Sequence, residues 1–433
     1  MQANTNAQPA AIGASNRNYL FPFILIVSLF FLWGMAHNLN GVLIPHLKKA
    51  CQLDNSQSAL VDTSVFFAYF VMAIPAGYLL RRWGYKLSII IGLITFSLGA
   101  FLFIPAADLR MYELFLLALF IIGCGLAVLE TAANPYAAVL GPPESATQRL
   151  NLAASFNGLA AMVAPVVGTI FILSGTSYSE SELEAMTETA RQAYLAHEAS
   201  SVKLPYLTLG LVLLIVAILF IFVKLPEIKS SEMTEDPGRK RSFFAVLRHK
   251  HLAFAVLAQF FYVGAQVCVT SFFIRMAQQG AGVDEKTAGY YLGVYGLLFM
   301  AGRFVGTVLL RYTSAPRLLS MYAFACVLLA ATAVFGSGMM VLYALGGLGF
   351  FMSIMFPTIF SLGIIGLGND TKQASSWLIM SIVGGAVFPF LTGDMIDRAG
   401  DNAQIGYIVP LVCYLVIFWY AIKGYKVRTD ASH

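Results

Sequence analysis

The sequence predicts an all-α membrane protein of twelve spanning helices arranged as two pseudo-symmetric six-helix bundles. Three observations carry that expectation. Apolar runs of about 20 residues, the length needed to cross a bilayer, recur along the whole chain. Charged residues make up 11% of it, against roughly 25% in a soluble domain. The longest polar break falls after the sixth run, and similar segments stand on either side of it.

The elements follow in order. Residues 1–19 are polar and form a tail. Span 1, 20–46, is too long for the apolar core of a signal peptide, so no cleaved leader is expected. Span 2, 57–80, stops at Arg81-Arg82-Trp83-Gly84, and span 3 covers 87–107. Span 4, 112–139, stops at Gly141-Pro142-Pro143-Glu144. Span 5, 150–174, precedes an acidic loop, Glu180–Glu198, and span 6 covers 204–224. The break Lys224–Lys250 contains Asp236-Pro237-Gly238-Arg239-Lys240-Arg241-Ser242 and has the composition of an inter-domain linker. Spans 7 to 12 follow at 252–276, 287–310, 316–336, 339–366, 373–393 and 405–424. The expected organisation is a tail (1–19), a first bundle (20–224), a linker (225–250), a second bundle (251–424) and a tail (425–433). Alternating strand patterns are missing, which argues against a barrel.

Lysine and arginine distribution sets the orientation. With the N-terminus cytoplasmic, eighteen of the 27 Lys and Arg residues lie inside and eight outside, with Arg303 within a span. Both termini are therefore expected in the cytoplasm. The net charge of +5 then reflects topology, not nucleic-acid binding. The five cysteines suit neither a disulfide framework nor a metal site. No phosphate-binding glycine loop and no nucleophile–base motif is present, so neither an ATP-driven pump nor an enzyme is expected, and no cofactor.

Glu130 stands alone in the apolar run of span 4, in Leu129-Glu130-Thr131-Ala132-Ala133-Asn134-Pro135. A charge in that setting costs from about 3 kcal/mol upward and usually faces a protein cavity on an ion or solute pathway. Loss of water disfavours the charged form of a carboxyl, which suits a carrier that takes and releases a proton. A neutral, hydrogen-bonded structural acid is the plainer alternative. Thr131 and Asn134 are the expected polar company.

The two halves share a pattern. Phe30-Phe31-Leu32-Trp33-Gly34 parallels Phe260-Phe261-Tyr262-Val263-Gly264 at an offset of 230, and Pro135 with Leu140-Gly141 parallels Pro357 with Leu362-Gly363 at 222. Parallel six-helix repeats with a midplane site between them characterise a large class of secondary transporters. At offset 222 Glu130 falls on Met352, so the acid belongs to the first half alone and an asymmetric role is expected.

Other candidates are polar residues in apolar surroundings. Amides carry donors and acceptors together and suit sugar hydroxyls; Asn38 on span 1 and Asn157 on span 5 are such residues. Gln259, Tyr262 and Gln266 are spaced to share one face of span 7, which fits either a wet cavity or bonds between helices. Ser375, Ser376 and Trp377 on span 11 offer hydroxyls and a stacking face, and Trp33 is either a stacking ring or core. Asp62, early in span 2, fits a coupling role or a water-exposed acid at a helix start. Arg303 with Arg81 and Arg82 fits gating or topology.

Several of these segments resemble one family. Asn38-Leu39-Asn40, Leu129–Pro135, Arg149-Leu150-Asn151-Leu152-Ala153, Ala258-Gln259-Phe260, Tyr262–Gln266, Gly302-Arg303-Phe304 and Phe356–Gly363 are similar to the fucose–proton symporter family of the major facilitator superfamily, which also includes glucose/galactose transporters. The resemblance implies alternating access and cation-coupled sugar uptake across a bacterial inner membrane. Of the family's two N-terminal carboxylates, one matches Glu130 and the other falls on Gly41. Of its span 5 cavity amides, Asn157 matches and the second position is Ala154. The superfamily's loop acid falls on Arg81. Gly41 and Asp62 lie symmetrically about the turn between spans 1 and 2, so Asp62 is a candidate replacement for the lost acid. The expected partners are a sugar, H+ or alternatively Na+, and the lipid bilayer, with the protein a monomer. A membrane sugar sensor is the alternative from another class, and it would carry a soluble signalling extension.

Overall fold

The computed structural model describes residues 20–53, 55–172, 185–223, 225, 243–400 and 402–427. Within span 1 and at the start of span 2 several side chains, those of Asn40, Gly41 and Asp62 included, lie outside the described residues. All of the regular structure described is helical. Among the described residues ten apolar helices are long enough to cross a bilayer. One of them, Thr63–Leu109, is broken at Gly84 (φ 75°), a left-handed conformation that a glycine adopts without cost. Spans 2 and 3 are its two arms. With span 5, Ala146–Phe171, this gives the twelve spans.

The remaining spans are span 1 (Leu20–Ala50), span 4 (Tyr112–Val139), span 6 (Lys203–Phe222), span 7 (Lys250–Ser271), span 8 (Glu285–Leu309) and span 9 (Ala315–Phe335). Span 10 is interrupted between Met339–Met352 and Met355–Ile364, and span 11 between Thr371–Met380 and Gly384–Arg398 by a tighter turn at Ser381–Val383. Span 12 runs from Ala403 to Gly424 and ends in a π-helical turn.

Two segments differ from expectation. The acidic stretch holds a helix, Glu188–Ser200, whose N-cap Thr187 accepts from the Ala190 amide. It docks on span 1 through His46, whose Nε2 lies 2.9 Å from the Glu198 carbonyl and 3.1 Å from Ser201 Oγ. Span 7 stops at Ser271, and Phe273–Ala281 forms a separate short helix. The linker sequence Asp236–Ser242 lies outside the described residues.

One end of the bundle carries Arg81, Arg82, Lys86, Arg149, Arg311 and Lys372 on its turns, and is here the basic end. The two halves meet there. Thr147 Oγ1 lies 2.7 Å from Ser361 Oγ, Asn151 Nδ2 donates to Thr358 Oγ1 at 3.2 Å, and Ser375 Oγ donates to the Thr131 carbonyl at 2.6 Å. Farther from that end the span 8 face that packs on span 5 becomes open. Gly289, Gly293 and Gly296 share it with Met300, Arg303 and Thr307, and a methyl group added to any of the three glycines would meet only open space.

Candidate functional site

Span 4 is buried from Gly125 to Ala138 except at Glu130, which is partly exposed. Its outward stripe is Glu113, Leu117 and Cys124. Glu130 lies about 120° round the helix from that stripe, so its exposed surface faces the protein interior. Span 2 supplies the partner. Its outward face is Phe67, Phe70, Val71, Ile74 and Tyr78, and Tyr69 lies about 160° away. Tyr69 is buried, and its hydroxyl donates to Glu130 Oε1 at 2.5 Å. The polar company named from sequence is therefore corrected. Thr131 Oγ1 turns back to the Ala127 carbonyl of its own helix, and Asn134 Nδ2 is buried without a partner. Sequence reasoning missed Tyr69 because it sits among aromatic residues, Phe66-Phe67-Ala68-Tyr69-Phe70.

The second half repeats this contact. Tyr295, at offset 226 from Tyr69, directs its hydroxyl to the sulfur of Met352 at 3.8 Å, and Tyr414 donates to the same sulfur at 3.1 Å. Met352 is the residue at offset 222 from Glu130. A tyrosine–acceptor pair thus stands at matching positions of both repeats, with a carboxylate in one and a thioether in the other.

Asn38 and Asn157 come together around Gly34. Asn38 Nδ2 donates to the Gly34 carbonyl at 2.7 Å, and a methyl group on Gly34 would stand 2.9 Å from Asn157 Nδ2 and 2.8 Å from Ala160 Cβ. Both asparagines are half-buried, and His37 is exposed. Trp33 is core, tilted against Phe30 with ring centroids 4.1 Å apart.

On span 7, Gln259 and Tyr262 are fully buried, and neither the Gln259 amide nor the Tyr262 hydroxyl has a hydrogen-bond partner. Gln266 is partly exposed. The shared face expected from spacing is present, but only its Gln266 end is open to solvent. The cavity role read for Ser375 and Ser376 is corrected. Ser375 bonds across to Thr131, and Ser376 is buried where span 11 meets Gly77 of span 2. Trp377 packs on Phe244 at 5.4 Å.

Arg303 is buried. Its Nε donates to the Ser353 carbonyl at 3.1 Å, at the interruption of span 10, and its Nη1 donates across the seam to the Ala154 carbonyl. Its guanidinium lies 4.7 Å from the centre of the Phe299 ring. The two seams are related by the repeat: Gly77 and Arg303 are offset by 226, and Ala154 and Ser376 by 222. One seam is thus a glycine against a serine, the other an arginine against an alanine carbonyl. Arg81 and Arg82 are exposed, and Arg82 donates to Tyr78 in its own helix at 3.0 Å. Asp62 lies outside the described residues. Among the described residues no cluster of three or more His, Cys, Asp or Glu suits a metal ion.

Residues 24–369 match the family model of the Major Facilitator Superfamily. The chain is 42% identical to the L-fucose-proton symporter of Escherichia coli, over 94% of this chain and 93% of the relative. It is 38% identical to a glucose/galactose transporter of Brucella abortus, over 95% and 96%. It superposes on the crystal structure of the transporter FucP in the outward conformation with a TM-score of 0.87, at 41% identity and covering 94% of this chain and 99% of that one. On these grounds the chain, a multi-pass membrane transporter, belongs to the fucose–proton symporter family of the Major Facilitator Superfamily.

Proposed function

We propose that the protein is a proton-coupled symporter that imports L-fucose or a related hexose across a bacterial inner membrane, working as a monomer with both termini cytoplasmic. The observation that carries this is Glu130: an acid alone within the apolar run of span 4, turned away from the outward face, partly exposed inside the protein and held by Tyr69. The names of the relatives supply the substrate class. The lysine and arginine bias puts the basic end in the cytoplasm, so the halves are closed on the cytoplasmic side.

In this reading the bundles 20–224 and 251–424 rock against each other about the linker 225–250. Glu130 takes a proton from outside, and the sugar binds through Asn38, Asn157, Gln259, Tyr262 and Gln266. The cytoplasmic seams then open, with Arg303 releasing Ala154 and Arg81 and Arg82 guarding the mouth, and the proton leaves inward. Burial of unpartnered polar groups such as those of Gln259 and Tyr262 is costly, and an arriving hydroxyl-rich ligand or water relieves it.

One observation favours a second reading. The position of the family's other carboxylate is Gly41, so the coupling set here depends on Glu130 alone or on Glu130 with Asp62, and a Na+-coupled glucose/galactose transporter is the rival. Uptake of labelled L-fucose, D-glucose and D-galactose into vesicles under an imposed pH or Na+ gradient separates the two. An outside-acid gradient is expected to drive accumulation without Na+. Accumulation only under Na+ overturns proton coupling, and no uptake under any gradient favours the sensor.

Gly34 allows a separate test of the amide pair. A methyl group there forces Asn157 or Ala160 to move, and overpacking of this kind costs about 1–3 kcal/mol. Gly34→Ala is expected to raise KM for the transported sugar by about tenfold, the lower-middle part of that range, read from initial rates at saturating proton gradient.

A further inference from the structure

The acid of span 4 does not stand alone chemically. Tyr69 donates to Oε1, which leaves Oε2 as the oxygen open to a proton. A hydroxyl donor is bound more strongly by a carboxylate than by a neutral carboxyl. The bond therefore resists loading of the site, and its strength helps set the pH at which loading occurs.

We propose that Tyr69 is the positioning residue of Glu130, holding Oε1 so that the proton is taken and released at Oε2. The inference rests on the reading of Glu130 as the coupling acid. The proton comes from water at the interior surface of Glu130, forms an O–H bond at Oε2 and returns to water on the other side. Tyr69 keeps its own proton throughout. Span 2 also carries Gly77, about two turns on, so this bond lies on a helix that forms a seam between the halves.

Few other groups compete for this role. The titratable or charged residues on the elements packed against span 4 are His37, His46, Lys48 and Lys49 on span 1, Asp62 on span 2, Asp108 at the far end of span 3, Glu144 in the turn before span 5, Arg149 on span 5 and Lys372 on span 11, besides Tyr78, Arg81, Arg82, Tyr85 and Lys86 around the basic turn. Most are engaged or placed elsewhere. His46 is held by Glu198 and Ser201. Arg149 donates to the carbonyls of Ala137, Ala138 and Pro142 at the basic end. Lys372 sits over the Tyr85 ring. Asp62 lies outside the described residues.

The repeat provides an internal control. Tyr295 is buried, like Tyr69, and points at Met352, which cannot titrate. Losing its hydroxyl reproduces the packing change without touching an acid. The test is an infrared titration of the purified full-length protein from about pH 4 to 10, the span between ordinary carboxyl and phenol values. It follows the carboxyl C=O band that disappears in Glu130→Gln. Tyr69→Phe keeps the ring and removes the donor. Its band is expected to move in frequency and to persist to higher pH by about one unit, the size of one hydrogen bond to a charged group. Tyr295→Phe should leave both unchanged. A Tyr69→Phe titration that overlays the unmodified protein overturns the proposal while leaving Glu130 as the coupling acid. An equal shift in Tyr295→Phe overturns it as a general core effect. If Glu130→Gln removes no titrating band, the reading of Glu130 itself falls, and the proposal with it.

Discussion

Replacing Glu130 with glutamine is expected to end concentrative uptake while sparing sugar exchange. Glutamine keeps the shape and still offers Tyr69 an acceptor in the place of Oε1, so the local packing survives. What it cannot do is release a proton. A carrier that is permanently neutral at this position resembles the loaded state, binds sugar from either side and equilibrates it. With one proton per sugar, a gradient of one pH unit is worth about 1.4 kcal/mol, or tenfold accumulation. The steady-state ratio of inside to outside sugar is expected to fall from about that value to one. Counterflow of labelled against unlabelled sugar should continue, and its dependence on external pH should flatten. Normal accumulation by the glutamine variant would sink the coupling mechanism, whatever the sugar.

The acid was visible in sequence because it ends an unbroken apolar run from Leu114 to Leu129, and a bilayer gives such a residue few plausible positions. The span count was visible for the same reason. Gly84 was marked by its charged neighbours and by the need for a turn that only a short polar break could make. Other features required tertiary contacts. The interruption of span 10 at Ser353 is paired with Arg303 from span 8, and nothing near Ser353 in the chain announces that partner. Ser375 and Ser376 were misplaced because a polar helical face serves a seam as well as a cavity, and only the approach of Thr131 and Gly77 decides between them. The helix Glu188–Ser200 was hidden by its polarity, since one buried turn against span 1 is enough to hold it. Tyr69 had one legible signal. Laying Tyr69 on Tyr295 alongside Glu130 on Met352 would have shown both members of a contact repeated together, while each match alone was too weak to use.

The glycine at position 77 leads to the other large effect. A methyl group on Gly77 would fall onto the Ser376 side chain, overlapping Oγ and standing 2.9 Å from Cβ. Turning Oγ away would still leave the methyl 2.9 Å from Ser376 Cβ, and Ser376 is fully buried, so full relief requires spans 2 and 11 to part slightly. These spans belong to different halves, and the strain is therefore charged to the state closed at the basic end and not to the folding of either bundle. At the upper end of ordinary overpacking, about 3 kcal/mol, that state is depleted about a hundredfold relative to the alternative. Gly77→Ala is expected to lower sugar uptake by a similar factor, with expression and thermal stability of the protein little changed. Ser376→Gly alone removes the obstacle at the roughly 0.5–1 kcal/mol that a glycine costs inside a helix, and should stay within about fivefold of the unmodified protein. The double variant Gly77→Ala with Ser376→Gly is the decisive member of the cycle. If the two side chains are the closing contact, it recovers most of the lost uptake, a coupling far larger than independent sites give. If it stays as slow as Gly77→Ala, the intolerance lies in span 2 itself, and the closing contact must be sought on the other seam, where Arg303 and Ala154 occupy the corresponding positions of the repeat.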